Sequence, residues 1–244
     1  MPLTKNGNLT MSNREKELVE NISEVKEEVA QACLRAGRKP EEVTVMAVSK
    51  LHAASDIEIL CNAGHRCFGE SYVQEALTKQ EELSGLDIDW HFIGGLQSKK
   101  AKLVAGKFCA VHSVDSSKLA GLLNKKAESL DVVQNILIQV NTACEEQKCG
   151  VTEETLPALI EEIQGYSNLK LIGLMCLPPF FGDPEGARPY FARLRMLAEG
   201  MEKLFGIKLP ELSMGMTGDF RVAIEEGSTM IRVGTRIFGT RPGY

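Results

Sequence analysis

The chain of 244 residues contains no apolar run near the roughly 20 residues that a membrane-spanning helix requires. A helical membrane protein is therefore not expected. Its first segment, MPLTKNGNLTMSNREKE, lacks the apolar stretch of a secretory signal and holds no arginine before Arg14. Neither an export signal nor a transit peptide is expected there. A disulfide framework is missing too. The seven cysteines (33, 61, 67, 109, 144, 149 and 176) are odd in number and irregular in spacing, as free thiols in a reducing compartment would be. A cytoplasmic location follows as the expectation. Four residues separate Cys144 from Cys149, but no second Cys or His pair accompanies them, so no metal site is expected. His52, His65, His91 and His112 show no metal spacing and are expected to be structural or exposed. Excess positive charge is also absent. With 28 Lys and Arg against 33 Asp and Glu, the net charge is −5, which argues against binding driven by nucleic-acid phosphates.

What is present is a repeating alternation. Leu18, Ile22, Val25, Val29 and Cys33 form a helical stripe over residues 13–36, ended by Gly37 and Pro40. Residues 1–12 are expected to be a disordered leader. Short apolar runs follow at 43–48, 66–69, 89–93, 109–114, 133–140, 169–175, 210–214 and 230–233. Amphipathic segments such as SYVQEALTKQEEL and SSKLAGLLNKKAESL lie between them. The longest, 187–205, places Phe191, Leu194, Ala198, Met201 and Phe205 on one face. Strands alternating with helices imply parallel pairing with right-handed crossovers. Eight such units predict a (β/α)8 TIM barrel in a single domain, 13–244, preceded by an extra N-terminal helix. An open doubly wound sheet is the alternative, but no GxGxxG follows the first strand. The run Lys99-Lys100-Ala101-Lys102 and the paired glutamates beginning at 27, 41, 81, 145, 153, 161 and 225 read as solvated surface.

In a barrel the chemistry sits where strands exit at their C-terminal ends. The first apolar run exits on Ser49-Lys50, and the second on Gly69-Glu70-Ser71. The seventh gives Ser213-Met214-Gly215-Met216-Thr217-Gly218-Asp219, with Asp219 as a helix N-cap candidate. The eighth gives Arg232-Val233-Gly234-Thr235. Glycines and hydroxyls in the loops after strands seven and eight suit a phosphate, because exposed backbone N–H groups at such turns bind anions. A lysine at the rim of an apolar barrel is partly desolvated, which favours the neutral amine that forms imines. A phosphate cradle opposite such a lysine describes a pyridoxal 5′-phosphate site, with Arg232 available to donate to the pyridine nitrogen. An aldolase-type Schiff-base lysine is the competing use of Lys50.

The segments AVSK, FGESYVQE, WHFIGGLQSKK, GLMCLP, LSMGMTGDF and AIEEGSTMIRVGTRIFG, in this order, resemble those of the pyridoxal phosphate homeostasis proteins, over residues 14–241. That family is similar to the barrel domain of alanine racemase (fold type III). The resemblance implies that Lys50 carries the cofactor as a Schiff base. It implies that Ser213 through Thr217, with Gly234 and Thr235, hold the phosphate, and that Arg232 faces the ring nitrogen. Ser71, Met214 and Met216 join the expected cofactor contacts. The family usually has Asn at Ser71, His at Gly95, Asn at Lys99, Ser at Thr217, and a different loop around Cys144. The implied role is intracellular vitamin B6 homeostasis without turnover, as a monomer, with PLP-dependent apo-enzymes as recipients of the cofactor. A PLP-dependent amino-acid racemase is the alternative. Racemisation needs an acid/base on each face of the substrate. In alanine racemase a tyrosine supported by a second domain supplies one. This chain has four tyrosines (72, 166, 190 and 244), of which Tyr72 alone is expected near the rim, and the barrel is expected to use the whole chain.

Overall fold

Helix α1 (Asn13–Arg35) begins where its side chains can satisfy the first free N–H groups. Ser12 Oγ accepts from the Glu15 N–H at 3.1 Å, and the Glu15 carboxylate accepts from the Ser12 N–H at 3.3 Å, a reciprocal capping box. Ser12 thus belongs to the helix rather than to the leader expected over 1–12. The computed structural model describes residues 11–143 and 149–240, so residues 1–10 of that leader lie outside the described residues. The stripe Leu18, Ile22, Val25, Val29 and Cys33 is buried throughout.

The remaining elements alternate: β1 (Thr44–Val48), α2 (Ala54–Asn62), β2 (Cys67–Glu70), α3 (Val73–Glu82), β3 (Asp89–Phe92), α4 (Ala101–Val104), β4 (Ala110–Val114) and α5 (Ser117–Ser129). They continue with β5 (Gln134–Gln139), α6 (Leu156–Gln164), β6 (Leu169–Met175), α7 (Arg188–Phe205), β7 (Glu211–Met216), α8 (Phe220–Glu225), β8 (Met230–Val233) and α9 (Thr235–Phe238). Each strand pairs in parallel with the next, and β8 returns to β1, with Thr44 opposite Met230 and Ala47 opposite Val233. The result is the expected (β/α)8 barrel.

Alternation along each strand divides the apolar residues between two layers. Outward residues such as Ala47, Phe68, Phe92, Val111, Ile138 and Met214 pack under the helices in the main core. A smaller apolar cluster of Ala110, Leu137 and Met175 stands apart from that core. Ala110 shares a strand face with His112, which bonds across the barrel, so this cluster fills the interior.

Helix α1 lies over the end of the chain that carries the last two loops. Arg14 grips Asp56 of α2 with two bonds, Nη2–Oδ2 at 2.6 Å and Nε–Oδ1 at 3.2 Å, and also donates to the Phe238 carbonyl at 2.9 Å. Asn21 donates to the Ile237 carbonyl at 2.9 Å. Glu28 pairs with both Arg221 and Arg236. Glu225 and Glu226 pair with Arg188 of α7. These glutamates are therefore not simply a solvated surface, because α7, α8 and α9 bring cations to them.

Arg14→Ala leaves Asp56 largely buried without its cation. Loss of charged hydrogen bonds costs roughly 1.5–3 kcal/mol, and a domain of this size loses about 2–4 °C of Tm per kcal/mol. We expect Tm to fall by about 3–12 °C. Glu199→Ala removes only an exposed i,i+4 pair with Arg195 and should move Tm by about 1–2 °C at most. Thermal melts of both variants check this.

Candidate functional site

The strand exits meet around a cavity of about 290 Å³, close to the small end of known ligand pockets at roughly 300 Å³. Val48 and Lys50 enter from β1 and Ser71 from the exit of β2. Met216, Thr217, Gly218 and Asp219 come from β7 and its loop, and Arg232, Gly234 and Thr235 from β8 and the start of α9. The loop after β6 adds Leu177, Phe180 and Phe181 as an apolar wall. Phe181 stacks on Tyr190, while Phe180 is 93% exposed at the mouth.

The two loops expected to hold an anion converge. Thr217 Oγ1 and Thr235 Oγ1 lie 3.3 Å apart, although the residues are 18 positions apart in the chain. Gly215 has φ +92°, and a Cβ there would stand 2.6 Å from the Ala223 methyl, so only glycine lets β7 turn so tightly against α8. Gly218 has nothing within 4 Å of its missing Cβ, leaving open space at the cavity wall. Asp219 occupies the N-cap position of α8 but does not cap it with its side chain. Its Oδ1 instead accepts the Met216 N–H at 2.6 Å and closes the loop. Burial pushes the Asp219 carboxyl above its ordinary range, with the Met216 bond and Arg232 opposing.

Lys50 is half-buried at the cavity wall. Behind it lies a cluster that periodicity alone does not reveal. Lys79 of α3 is buried and donates to the Ser49 carbonyl at 2.7 Å, to Glu70 Oε1 at 2.7 Å and to Glu75 Oε1 at 2.6 Å. Ser49 Oγ also donates to Glu70 Oε1 at 2.7 Å, and Glu75 Oε1 accepts the Leu51 N–H at 2.5 Å. Glu70 Oε2 is buried without a partner, and burial pushes this carboxyl up against the pull of Lys79.

Comparison with known proteins places this constellation. The family model for the alanine racemase N-terminal domain matches residues 19–242. The pyridoxal phosphate homeostasis protein of Aquifex aeolicus (strain VF5) is 44% identical over 222 residues, 91% of this chain and 97% of that one. Its namesake in Pseudomonas aeruginosa is 42% identical over 224 residues, 92% of this chain and 96% of that one. The chain belongs to the pyridoxal phosphate homeostasis protein family. The crystal structure of PipY from Synechococcus elongatus PCC7942 with PLP bound superposes with a TM-score of 0.80. It is 35% identical, with 91% of this chain and all of that chain covered. Alanine racemase from Corynebacterium glutamicum, at 14% identity and a TM-score of 0.68, shares the fold. This chain covers 62% of that enzyme.

Within this family member, Lys50, Ser71, Met216, Thr217, Arg232, Gly234 and Thr235 line the one cavity. Two expected contacts do not. Met214 points outward on β7 into the helix-facing core and is fully buried, because alternation alone sends it away from Ser213. Ser213 faces inward but lies beneath the cavity, bonded to two other side chains. Gly95 lines a neighbouring cavity of about 300 Å³ with Gln139, Asn141 and Cys149. The loop around Cys144 is outside the described residues.

Ser213 belongs to a buried polar chain. Arg232 donates through Nη1 to Ser213 Oγ at 2.7 Å and through Nη2 to the Cys176 carbonyl at 2.9 Å. Ser213 Oγ lies 3.0 Å from His112 Nδ1, and His112 Nε2 lies 3.0 Å from His91 Nδ1. Each of these two contacts needs one donor and one acceptor, which neutral imidazoles and a hydroxyl supply. Desolvation pushes His91 down to about 4 and His112 well below its ordinary value. Both are thus neutral. The histidines are structural, as expected, but their partner is the cation of the site.

These shifts carry a sign. A histidine held neutral in the fold and titrating near 6.5 when unfolded stabilises the fold fully above about pH 6.5. That contribution is lost as pH falls towards 4. For His91 it is on the order of 3 kcal/mol. Urea unfolding between pH 4 and 7 should show stability rising with pH more steeply in the parent than in His91→Gln. Equal slopes would contradict the assignment.

Proposed function

We propose that this chain binds pyridoxal 5′-phosphate with Lys50 as the covalent anchor, and that it holds the cofactor for vitamin B6 homeostasis without turning over a substrate. The observation that carries the reading is the convergence of Lys50, the two hydroxyl- and glycine-bearing loops, and Arg232 on one cavity. The residues fit the group. Thr217 and Thr235 supply hydroxyls beside the open space at Gly218, where an anion can be met by backbone N–H groups. Lys50 supplies the nucleophilic amine. When bound, the cofactor supplies an aldehyde electrophile and an electron-withdrawing ring.

Arg232 does two things in this arrangement. Its position is set by Ser213 and the Cys176 carbonyl, and burial lowers its pKa from the ordinary guanidinium value. A guanidinium keeps its proton in proteins, so Arg232 is a cation at neutral pH. A guanidinium offers only donors, so a ring nitrogen facing it must accept and stay unprotonated. An unprotonated ring withdraws electrons weakly, which suits a holder better than a catalyst of carbanion chemistry. The apolar wall of Leu177, Phe180 and Phe181 shields one side of the cavity from water. Recipients of the cofactor would be PLP-dependent apo-enzymes, approached through the mouth at Phe180.

The racemase reading needs a second acid/base facing the substrate. Tyr72 is 51% exposed at the start of α3, and among the described residues no tyrosine lines the cavity. Asp219 lines it but spends Oδ1 on the Met216 N–H. Chiral chromatography after incubation with L-alanine and other L-amino acids should show no conversion near ordinary enzyme rates of roughly 1–10³ per second. Turnover in that range would restore the racemase.

Mixed with pyridoxal 5′-phosphate, the parent should gain a visible absorption band. Lys50→Ala should lose that band yet retain non-covalent binding through the loops. Arg232→Ala should keep the band at saturating cofactor, but bind roughly 10- to 150-fold more weakly for a charged hydrogen bond of about 1.5–3 kcal/mol. Spectral titration of the three proteins checks this. Parent-like affinity and spectrum in Arg232→Ala would remove Arg232 from the ring.

A further inference from the structure

The two peptide groups that flank Lys50 are both held by side chains of α3. On one side the Ser49 carbonyl accepts from Lys79 Nζ at 2.7 Å. On the other, the Leu51 N–H donates to Glu75 Oε1 at 2.5 Å. Glu75 and Lys79 are themselves paired at 2.6 Å, one helical turn apart. Buried Glu70 completes the cluster from β2. Leu51 has φ +66°, a left-handed conformation that is unfavourable for a non-glycine residue. Such a backbone persists only where its surroundings hold it. Here the Glu75 bond meets the N–H of the strained residue itself, so the turn of the chain at Lys50 is held in place from outside the barrel.

We infer that Glu75 and Lys79 are positioning residues for Lys50: they fix the peptide groups on either side of it, and so aim its amine at the cavity. The inference rests on the reading of Lys50 as the covalent anchor. In that bond-forming step the neutral amine nitrogen forms a double bond to the aldehyde carbon. The carbonyl C–O bond breaks, and its oxygen leaves as water with both amine hydrogens. The step depends on the approach of the nitrogen, and misplacement by about 1 Å can cost on the order of 100-fold in rate. Binding of the phosphate depends on the loops after β7 and β8, which the cluster does not touch. The cluster should therefore act on bond formation and leave non-covalent affinity alone.

The test separates these two quantities. Pyridoxamine 5′-phosphate carries the same ring and phosphate but no aldehyde, so its affinity reports the non-covalent contacts of the cavity without the bond to Lys50. The rate at which the visible band appears after mixing with pyridoxal 5′-phosphate reports Lys50. Glu75→Ala should slow the band roughly 10- to 100-fold, while pyridoxamine 5′-phosphate binds within about twofold of the parent. Glu75→Gln keeps an oxygen for the Leu51 N–H and should restore most of the rate. Lys79→Met should act in the same direction, and if it fails to fold, because Glu70 is left buried without its cation, the glutamate pair of variants carries the test. Parent-like rates in Glu75→Ala, or an equal loss in rate and in pyridoxamine 5′-phosphate affinity, would overturn the positioning role. A parent that never develops the band fails differently. It would overturn the covalent reading of Lys50 and this inference with it.

Discussion

A guanidinium buried inside the barrel constrains much of what surrounds it. Removing a charge from water costs several kcal/mol even after relaxation, and Arg232 is only 4% exposed. Its placement is tolerable because Ser213 and the Cys176 carbonyl accept from it, and because His112 and His91 stay neutral and bring no second charge into the interior. The barrel interior is consequently polar along one line, with a small apolar layer of Ala110, Leu137 and Met175 beside it. A fully apolar interior would pack as well. It would leave nothing at the mouth able to face a ring nitrogen.

The outer shell answers a second demand, which is to hold the rim still. Helix α1 caps carbonyls of α9 through Arg14 and Asn21, so the helix that begins at Thr235 is tied at its far end. Helix α3 ties the chain at Lys50. Both devices act on backbone rather than on ligand.

Much of this was legible in the chain. The alternation of apolar runs and amphipathic segments located every strand within two residues, because parallel strands buried on both faces read as continuous apolar stretches. The exits of β1, β7 and β8 named most of the cavity for the same reason. What sequence concealed was the direction of side chains and the company they keep. Ser213 and Met214 are neighbours in a loop motif, yet alternation sends one inward beneath Arg232 and the other into the helix-facing core. Glu75 and Lys79 look like an ordinary i,i+4 surface pair, and only the packing of α3 against β1 and β2 turns them inward. His91 and His112 lie on different strands and become partners because β3 pairs with β4, with His91 opposite Ala110. Glu28 and Glu225 acquire cations because α1 crosses α8 and α9, and Glu225 and Glu226 acquire them from α7.

The central claim is that Lys50 and the loops after β7 and β8 act on one ligand. The most direct measurement is borohydride reduction of the protein saturated with pyridoxal 5′-phosphate, followed by peptide mass mapping of every lysine. The account predicts one label per chain, on Lys50, and less of it when excess inorganic phosphate is present before the reduction. A label on Lys99, Lys100 or Lys102, or label spread over surface lysines and indifferent to phosphate, would contradict it.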